Sequence, residues 1–142
     1  INNQKGIFLS VKGIPLARER CVPLPKKGAL YMENCIFCKI INKEISSEIV
    51  YENDMVIGFK DINPVAPVHI LIVPKTHVAS VRNINDENAN IIHLAANEIA
   101  KKMSIYDKGY RLISNCGVDA GQTVEHLHYH LIGGINLGPK II

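Results

Sequence analysis

The stretch EHLHYHLIGG, from Glu125 to Gly134, places a histidine at every second position. The three histidines are His126, His128 and His130. The residues that follow them in turn are Leu127, Tyr129 and Leu131. Because successive side chains of a strand point to opposite faces, this alternation predicts a strand. Its apolar face should pack on a core, and its histidine face should look into polar surroundings.

Three adjacent imidazoles on one face cannot comfortably all carry a proton. Some of them must be neutral, and neutral imidazoles serve as acceptors, ligands or nucleophiles. The alternative is a histidine-rich surface strand or a tag-like run. Unbroken runs are typical of tags, whereas this one alternates within an apolar strand, so the sequence favours a site.

Composition predicts a single globular domain. The 142 residues are 47% hydrophobic and 20% charged, which is ordinary for a soluble protein with a real core. The absence of an apolar run of about 18 residues predicts no transmembrane helix, and no convincing signal peptide is present. Two of the four cysteines form the stretch CIFC, a spacing that indicates metal or redox chemistry. We therefore expect a reducing compartment, the cytoplasm, and no membrane partner.

The net charge of +3 is unevenly distributed. Residues 1–31 carry +5 and residues 32–142 carry −2, so no nucleic-acid partner is expected for the acidic part. Residues 1–31 are predicted to be a leader or surface extension, and residues 32–142 a single domain. Met32 is the expected natural start, because KKGAL is what a purine-rich ribosome-binding site would encode. Intact-mass analysis from the native host tests this.

The remaining pattern predicts an α+β fold. CIFCKIINKE suggests a short helix or turn, and NDENANIIHLAANEIAKKM a long helix with Asn85 or Asp86 as its cap. Four further segments are predicted to be strands, the first two joined by a turn at Asn53-Asp54 and the third stopped by Pro74. These segments are EIVYEN, MVIGFKDI, VHILIVPK and YRLISN.

Three ordered segments resemble the histidine triad family of nucleotide hydrolases and transferases. They are CIFCKIINKEI, FKDINPVAPVHILIVPKTH and GYRLISNCGVDAGQTVEHLHYHLIGG, and they span roughly Cys35 to Gly134. The branch that is most similar comprises small nucleotide-binding proteins with nucleoside phosphoramidase activity. The resemblance implies an antiparallel sheet of about five strands, one long and one short helix, and a two-fold homodimer.

The resemblance also implies the catalytic residues. His128 is the expected nucleophile, which attacks the α-phosphorus and forms a nucleotidyl-histidine intermediate that water cleaves. A neutral imidazole, with a reference pKa of about 6.5, is nucleophilic at neutral pH. His130 is expected to donate to the phosphate, and His69 to support the triad by hydrogen bonding. The alternative for His69 is a satisfied strand histidine. His93 has no motif support and is interpreted as structural or as a surface residue.

Further positions match residues that bind the nucleotide in the family. Asp61 should accept from the ribose hydroxyls, and Asn115 should lie near the phosphate and ribose. The loop of Gly121, Gln122, Thr123 and Val124 should offer backbone N–H groups and the Thr123 hydroxyl; many relatives have Ser there. Apolar positions around the base are Phe37, Ile40, Phe59 and Ile62. For these four, simple core packing is an almost equal alternative.

A structural Zn²⁺ is implied by the same resemblance. Some bacterial and archaeal relatives hold zinc with the Cys pair, a histidine of a PKTH-like segment and the first triad histidine. The corresponding residues are Cys35, Cys38, His77 and His126. Zinc prefers four tetrahedral sulfur or nitrogen ligands. The alternatives are two reduced buried cysteines or a redox pair; Cys21 and Cys116 have no assigned partner.

The expected activity is hydrolysis of purine nucleoside 5′-phosphoramidates, with AMP or GMP as the bound nucleotide. Three rivals stay open: a dinucleoside polyphosphate hydrolase, a nucleotide-binding regulator with incidental hydrolysis, and a DNA-end deadenylase, which the acidic domain disfavours. One departure concerns the C-terminal segment. Relatives often carry a Trp there that shapes the partner subunit's pocket, whereas this chain has no Trp and ends INLGPKII.

Overall fold

The computed structural model describes residues 31–141. The predicted leader therefore lies outside the described residues, apart from Tyr31. The helices are α1, Ile36–Ile41, and α2, Asp86–Lys102. The strands are β1, Ile49–Glu52; β2, Val56–Lys60; β3, Val68–Pro74; β4, Tyr110–Ile113; and β5, Tyr129–Gly133.

The five strands form one antiparallel sheet in the order β1-β2-β3-β5-β4, so the predicted α+β fold is confirmed. The turn predicted at Asn53-Asp54 joins β1 to β2. Asn53 Oδ1 accepts from the backbone N–H groups of Met55 and Val56 at 2.9 and 2.8 Å, an arrangement that side-chain amides favour in turns. Strand β3 ends at Pro74, as predicted.

Helix α2 covers one face of the sheet. Asn85 caps it, because its Oδ1 accepts from the N–H of Asn88 at 2.8 Å. Ile92 and Ile99 are fully buried against the strands. A Cβ at Gly58 of β2 would lie 2.7 Å from Ile99 Cδ1, so glycine lets the helix approach closely there. Burial of each isoleucine contributes on the order of 2 kcal/mol.

Helix α1 covers part of the opposite face. Phe37, Cys38 and Ile41 are buried there together with Phe59 of β2 and Val73 of β3. The rings of Phe37 and Phe59 meet edge to face with their centroids 5.6 Å apart. Strands β2 and β3 are therefore buried on both faces of the sheet, and the short helix brings the cysteine pair onto the side opposite α2.

The histidine strand begins later than the alternation predicts. Strand β5 starts at Tyr129, so His130 lies on it while His126 and His128 precede it. The alternation of faces nevertheless extends through the whole stretch, since Leu127 and Leu131 are both buried in the core beneath α2. The N–H of Leu127 donates to Val78 O instead of to a neighbouring strand, which ends the ladder at this point.

Within residues 31–141, no helix is long and apolar enough to cross a membrane.

Candidate active site and metal centre

The CIFC pair meets two histidines from distant parts of the chain. Cys35 precedes α1 and Cys38 lies within it, His77 follows β3, and His126 precedes β5. Their ligand atoms all lie within 4.8 Å of one another. Nδ1 of His126 is 3.4 Å from Cys35 Sγ and 3.6 Å from Cys38 Sγ, and Nδ1 of His77 is 3.3 Å from Cys38 Sγ. The four predicted ligands are thus brought together.

The orientation of His126 suits metal binding. Its Nε2 lies 2.9 Å from Pro74 O, and because a carbonyl only accepts, Nε2 carries the proton. The lone pair of Nδ1 therefore faces the sulfur atoms. Burial lowers the pKa of His126 to about 4, so the ring is neutral at neutral pH. A backbone carbonyl that fixes the tautomer of a metal-binding histidine is a common supporting contact.

The spacing of the four donors fits a tetrahedral cation. Zn²⁺ binds sulfur at about 2.3 Å and nitrogen at about 2.0–2.1 Å, so tetrahedral S and N ligands lie roughly 3.6 Å apart. Three of the four S–N distances, at 3.3 to 3.6 Å, match that value, and the fourth is no longer than 4.8 Å. Burial raises the pKa of the Cys38 thiol to about 11, so a thiolate there needs a cation beside it. Cys35, Cys38 and Cys116 are free cysteines in the described part of the chain.

His128 is held in the tautomer that a nucleophile needs. Its Nδ1 lies 2.7 Å from the carbonyl oxygen of His126 and must donate to it, which leaves the lone pair on Nε2. The ring is buried, with the edge of Phe37 on one side at a centroid distance of 5.1 Å. One nitrogen is thus fixed by the backbone and the other is free to react.

His69 and His130 form a hydrogen-bonded relay beside it. The N–H of Val65 donates to His69 Nδ1 at 3.2 Å, so neutral His69 carries its proton on Nε2. That nitrogen is 2.8 Å from His130 Nδ1 and donates to it. Neutral His130 therefore carries its own proton on Nε2. Nε2 of His130 is therefore a hydrogen-bond donor. The ring centroids of His130 and His128 are 5.2 Å apart.

Asp61 completes a second group of polar side chains. Its Oδ2 is 3.4 Å from His69 Nε2, and its Oδ1 accepts from the N–H of Asn63 at 2.8 Å. The ligand atoms of Asp61, His69 and His130 lie within 4.8 Å of one another, a spacing that a metal ion would require. The Val65 contact disfavours a metal ion there, because it leaves a proton and not a lone pair on His69 Nε2. This group is better described as a hydrogen-bond network.

Burial lowers the pKa of His130, and the neighbouring His128 and His69 lower it further, whereas Asp61 raises it. His130 is therefore neutral at neutral pH. Because His126 and His130 are both neutral, the triad does not carry three charges, as expected.

A cavity of about 560 Å³ opens beside the relay. The predicted residues Asn115, His69 and His130 line it, together with Ile113 and Ile132. Its lining is mostly apolar, with a few convergent polar groups, as in small-molecule sites. Asn115 is thus near the relay.

The four apolar residues predicted around the base occupy different environments. Phe37 and Phe59 are buried in contact with each other, and Phe37 also borders His128. Ile40 is buried within the cluster beneath α1, where it packs as a core residue. Ile62 is 90% exposed and is free to cover a ligand. His93 is exposed on α2, with its ring edge to face against Tyr129.

The predicted phosphate loop is folded on itself. Gly121 has a φ of +75°, a left-handed conformation that suits glycine. Its N–H donates to Val118 O at 2.9 Å, and the N–H of Gln122 donates to Gly117 O at 3.1 Å. Thr123 is exposed, while Val124 packs against the cluster beneath α1.

Several contacts of the site were not predicted from the sequence. The hydroxyl of Ser114 donates to His128 O at 3.0 Å. In the sequence, Ser114 is indicated as a site residue only by its position directly before Asn115, which was itself predicted to lie in the site. The backbone groups of Pro74, Val65 and His126 also set histidine tautomers, and no side-chain pattern marks a backbone contact.

Comparisons with known proteins agree with this description. A family model described as "Scavenger mRNA decapping enzyme C-term binding" matches residues 34–138. A purine nucleoside phosphoramidase of Escherichia coli is 45% identical over 113 residues, which cover 77% of this chain and 94% of that protein. A HIT family hydrolase from Clostridium thermocellum is 61% identical, with a TM-score of 0.74 over 78% of this chain and 99% of that one. A histidine triad protein from Clostridium difficile is 50% identical, with a TM-score of 0.72 over 77% and 97%.

Fold and site together define a small α+β hydrolase in which a histidine with a free Nε2 stands between a hydrogen-bonded histidine pair and a Cys/His cluster. The chain belongs to the histidine triad (HIT) family of hydrolases, as its resemblance predicted.

Proposed function

We propose that the chain hydrolyses nucleoside 5′-phosphoramidates, preferring purines, through a nucleotidyl intermediate on His128. The observation that carries the proposal is the fixed tautomer of His128, whose Nδ1 donates to His126 O and whose Nε2 keeps a lone pair. The 45% identity to an Escherichia coli purine nucleoside phosphoramidase supports the substrate class.

The reaction takes two displacements at phosphorus. His128 Nε2 attacks, the P–N bond to the amine breaks, and the amine leaves after taking a proton from solvent. Water then attacks the same phosphorus, the bond to His128 Nε2 breaks, and a nucleoside monophosphate such as AMP or GMP is released. Splitting one difficult hydrolysis into two easier displacements is the benefit of a covalent nucleophile.

The surrounding groups would stabilise and orient the phosphate. The Nε2–H of His130, which the His69 relay holds in place, donates to a non-bridging oxygen as charge builds up there. Asp61 accepts from the ribose hydroxyls with its ionised carboxylate. Asn115 contacts the phosphate and ribose, and Thr123 and Val124 contribute backbone N–H groups. Phe37, Phe59 and Ile62 border the base.

We also propose a structural Zn²⁺ at Cys35, Cys38, His77 and His126. The donor set and its spacing support it. When bound, the ion would cross-link α1 to the segments before β5 and after β3. His126 would then be a metal ligand and not a catalytic residue, although its carbonyl still orients His128.

The cluster is tested by metal analysis of freshly purified protein. Wild type should contain one Zn²⁺ per chain, Cys38→Ser should lose most of it, and Cys116→Ser, which alters a cysteine outside the cluster, should retain it. Zinc that is absent from wild type, or retained by Cys38→Ser, would contradict the metal proposal.

The active protein is proposed to be a two-fold homodimer. Strand β4 lies at the edge of the sheet, so one side of it has no strand neighbour among the described residues. Leu94, on α2, is 65% exposed, and Leu112 of β4 and Tyr129 of β5 are only partly buried. An open strand edge beside apolar side chains is suited to a second copy of the chain.

The activity is tested with adenosine 5′-phosphoramidate and diadenosine tetraphosphate in parallel. We expect fast turnover of the phosphoramidate by wild type and by the surface control Asp107→Asn, which alters an exposed side chain. His128→Ala should lose at least about 10³-fold while it still binds AMP, because the nucleophile is gone and the pocket is not. A preference for the tetraphosphate would favour a dinucleoside polyphosphate hydrolase. AMP binding with equally slow turnover by wild type and His128→Ala would favour a regulator.

A further inference from the structure

The side-chain amide of Gln122 forms hydrogen bonds to the backbone with its oxygen and with both of its N–H groups. Its Oε1 accepts from the N–H of Gly117 at 3.0 Å. Its Nε2 donates to Ala79 O at 2.8 Å and to Val124 O at 3.0 Å. A side-chain amide has two N–H donors, and both are engaged here. Gln122 is therefore not a residue whose side chain is free to bind a ligand.

These contacts close the loop over residues 117–124. Gly117 is bonded to Gln122 twice, because the N–H of Gln122 also donates to Gly117 O. The Val124 contact fixes the far end of the loop, directly before the triad. The Ala79 contact ties the loop to the segment that follows His77, and Leu127 N–H, bonded to Val78 O, ties that segment to the triad stretch.

Two backbone N–H groups of this loop have no hydrogen-bond acceptor among residues 31–141. The N–H groups of Gly121 and Gln122 are used within the loop. Those of Thr123 and Val124 donate to no acceptor among residues 31–141. Because the carbonyl of Val124 and the peptide N–H of Gln122 are both held, the two intervening N–H groups have a set direction. Pre-oriented backbone donors stabilise phosphate charge without reorganising when it arrives.

We propose that Gln122 is a positioning residue, which holds the Thr123 and Val124 N–H groups ready for the phosphate of a nucleotide by clamping residues 117–124 to the segment after His77. It acts on the phosphate through the loop and does not touch the ligand. This inference rests on the proposed nucleotide site. The base and ribose are bound elsewhere, by residues of α1, β2 and Asp61, so the contribution of Gln122 is confined to the phosphate.

The test compares the binding of AMP with that of adenosine by calorimetry on freshly purified protein. Gln122→Met keeps the length of the side chain and removes its hydrogen bonds, and Gln122→Asn keeps the amide but shortens its reach. Val118→Ala is the matched control, because Val118 lies in the same loop and is 90% exposed. We expect AMP affinity to fall about tenfold or more in both Gln122 variants and adenosine affinity to stay within about twofold. Val118→Ala should match wild type.

Unchanged AMP affinity in either folded variant would overturn the inference. So would equal losses for AMP and adenosine, since that pattern means general damage to the fold. Wild-type protein that binds neither ligand would overturn the proposed nucleotide site itself, and the role of Gln122 with it.

Discussion

Ser114 steadies the residue that we propose as the nucleophile. Its hydroxyl donates to the carbonyl oxygen of His128 at 3.0 Å. Removing one such hydrogen bond costs about 1 kcal/mol. If this free energy is lost from the transition state and not from substrate binding, Ser114→Ala should lower kcat about fivefold with little change in KM. Steady-state kinetics on adenosine 5′-phosphoramidate measures both constants.

Ser114→Thr provides the matched variant. It keeps the hydroxyl, so its kcat should stay close to that of wild type. If the Ala and Thr variants had equal kcat values, the hydrogen bond to His128 would be irrelevant to turnover.

The nearby carboxylate of Asp61 partly offsets the lowering of the His130 pKa. It raises the pKa of that histidine against burial and against its two histidine neighbours. Asp61→Asn removes the carboxylate charge, so the pKa of His130 should fall further. Histidine-selective NMR titration measures it, with His130→Gln to assign the resonance and the exposed Asp107→Asn as control. A pKa of His130 that rises in Asp61→Asn would refute this account.

The lowered pKa of His130 also fixes the sign of a stability effect. Below about pH 6.5 the unfolded chain protonates this ring before the folded protein does. The contribution of His130 to stability is therefore complete above that pH, and it declines as the pH falls toward the lowered folded pKa.

Helix α2 depends on its N-cap. Asn85 Oδ1 accepts from the N–H of Asn88, one of the donors that the first helical turn leaves unpaired. Asn85→Ala should lower the free energy of unfolding by about 1 kcal/mol, and Asn85→Asp should restore it. Urea denaturation followed by circular dichroism measures the difference. Equal stability of Asn85→Ala and wild type would show that the cap contributes nothing here.

The secondary structure could be predicted where local patterns decide it. The period of α2, the turn at Asn53-Asp54 and the stop at Pro74 are properties of short segments, and all are present. The start of β5 could not be predicted. The alternation continues upstream to His126, but the hydrogen bond from Leu127 to Val78 is a long-range contact that diverts the chain before the ladder begins.

The candidate site was predictable in its side chains and not in its backbone contacts. Family-like motifs identified the histidines and cysteines, which the fold brings together. The tautomers are set by carbonyl and amide groups of His126, Val65 and Pro74, which every sequence possesses. Only the folded chain shows which of them are used.

The molecule as a whole should dimerise through the open edge at β4. Leu94→Glu places a charge on the exposed stripe of α2 that also carries Asn97, which is hydrogen-bonded to Tyr110 of β4. Desolvating a charge in an interface is costly. We expect Leu94→Glu to shift the protein from dimer to monomer in analytical ultracentrifugation. The control Val118→Glu, at an apolar residue that is more exposed than Leu94, should remain dimeric. A Leu94→Glu protein as dimeric as wild type would place the interface elsewhere.

The bond between His128 Nδ1 and His126 O has a spectroscopic consequence. The ring nitrogen that carries this proton lies 2.7 Å from the carbonyl oxygen, and the ring is buried. The proton should therefore exchange slowly with water and give its own downfield resonance. Transfer of a nucleotide to Nε2 would draw electrons from the ring and move that resonance further downfield. A single proton signal would then follow the tautomer, the arrival of the covalent intermediate and its hydrolysis in real time.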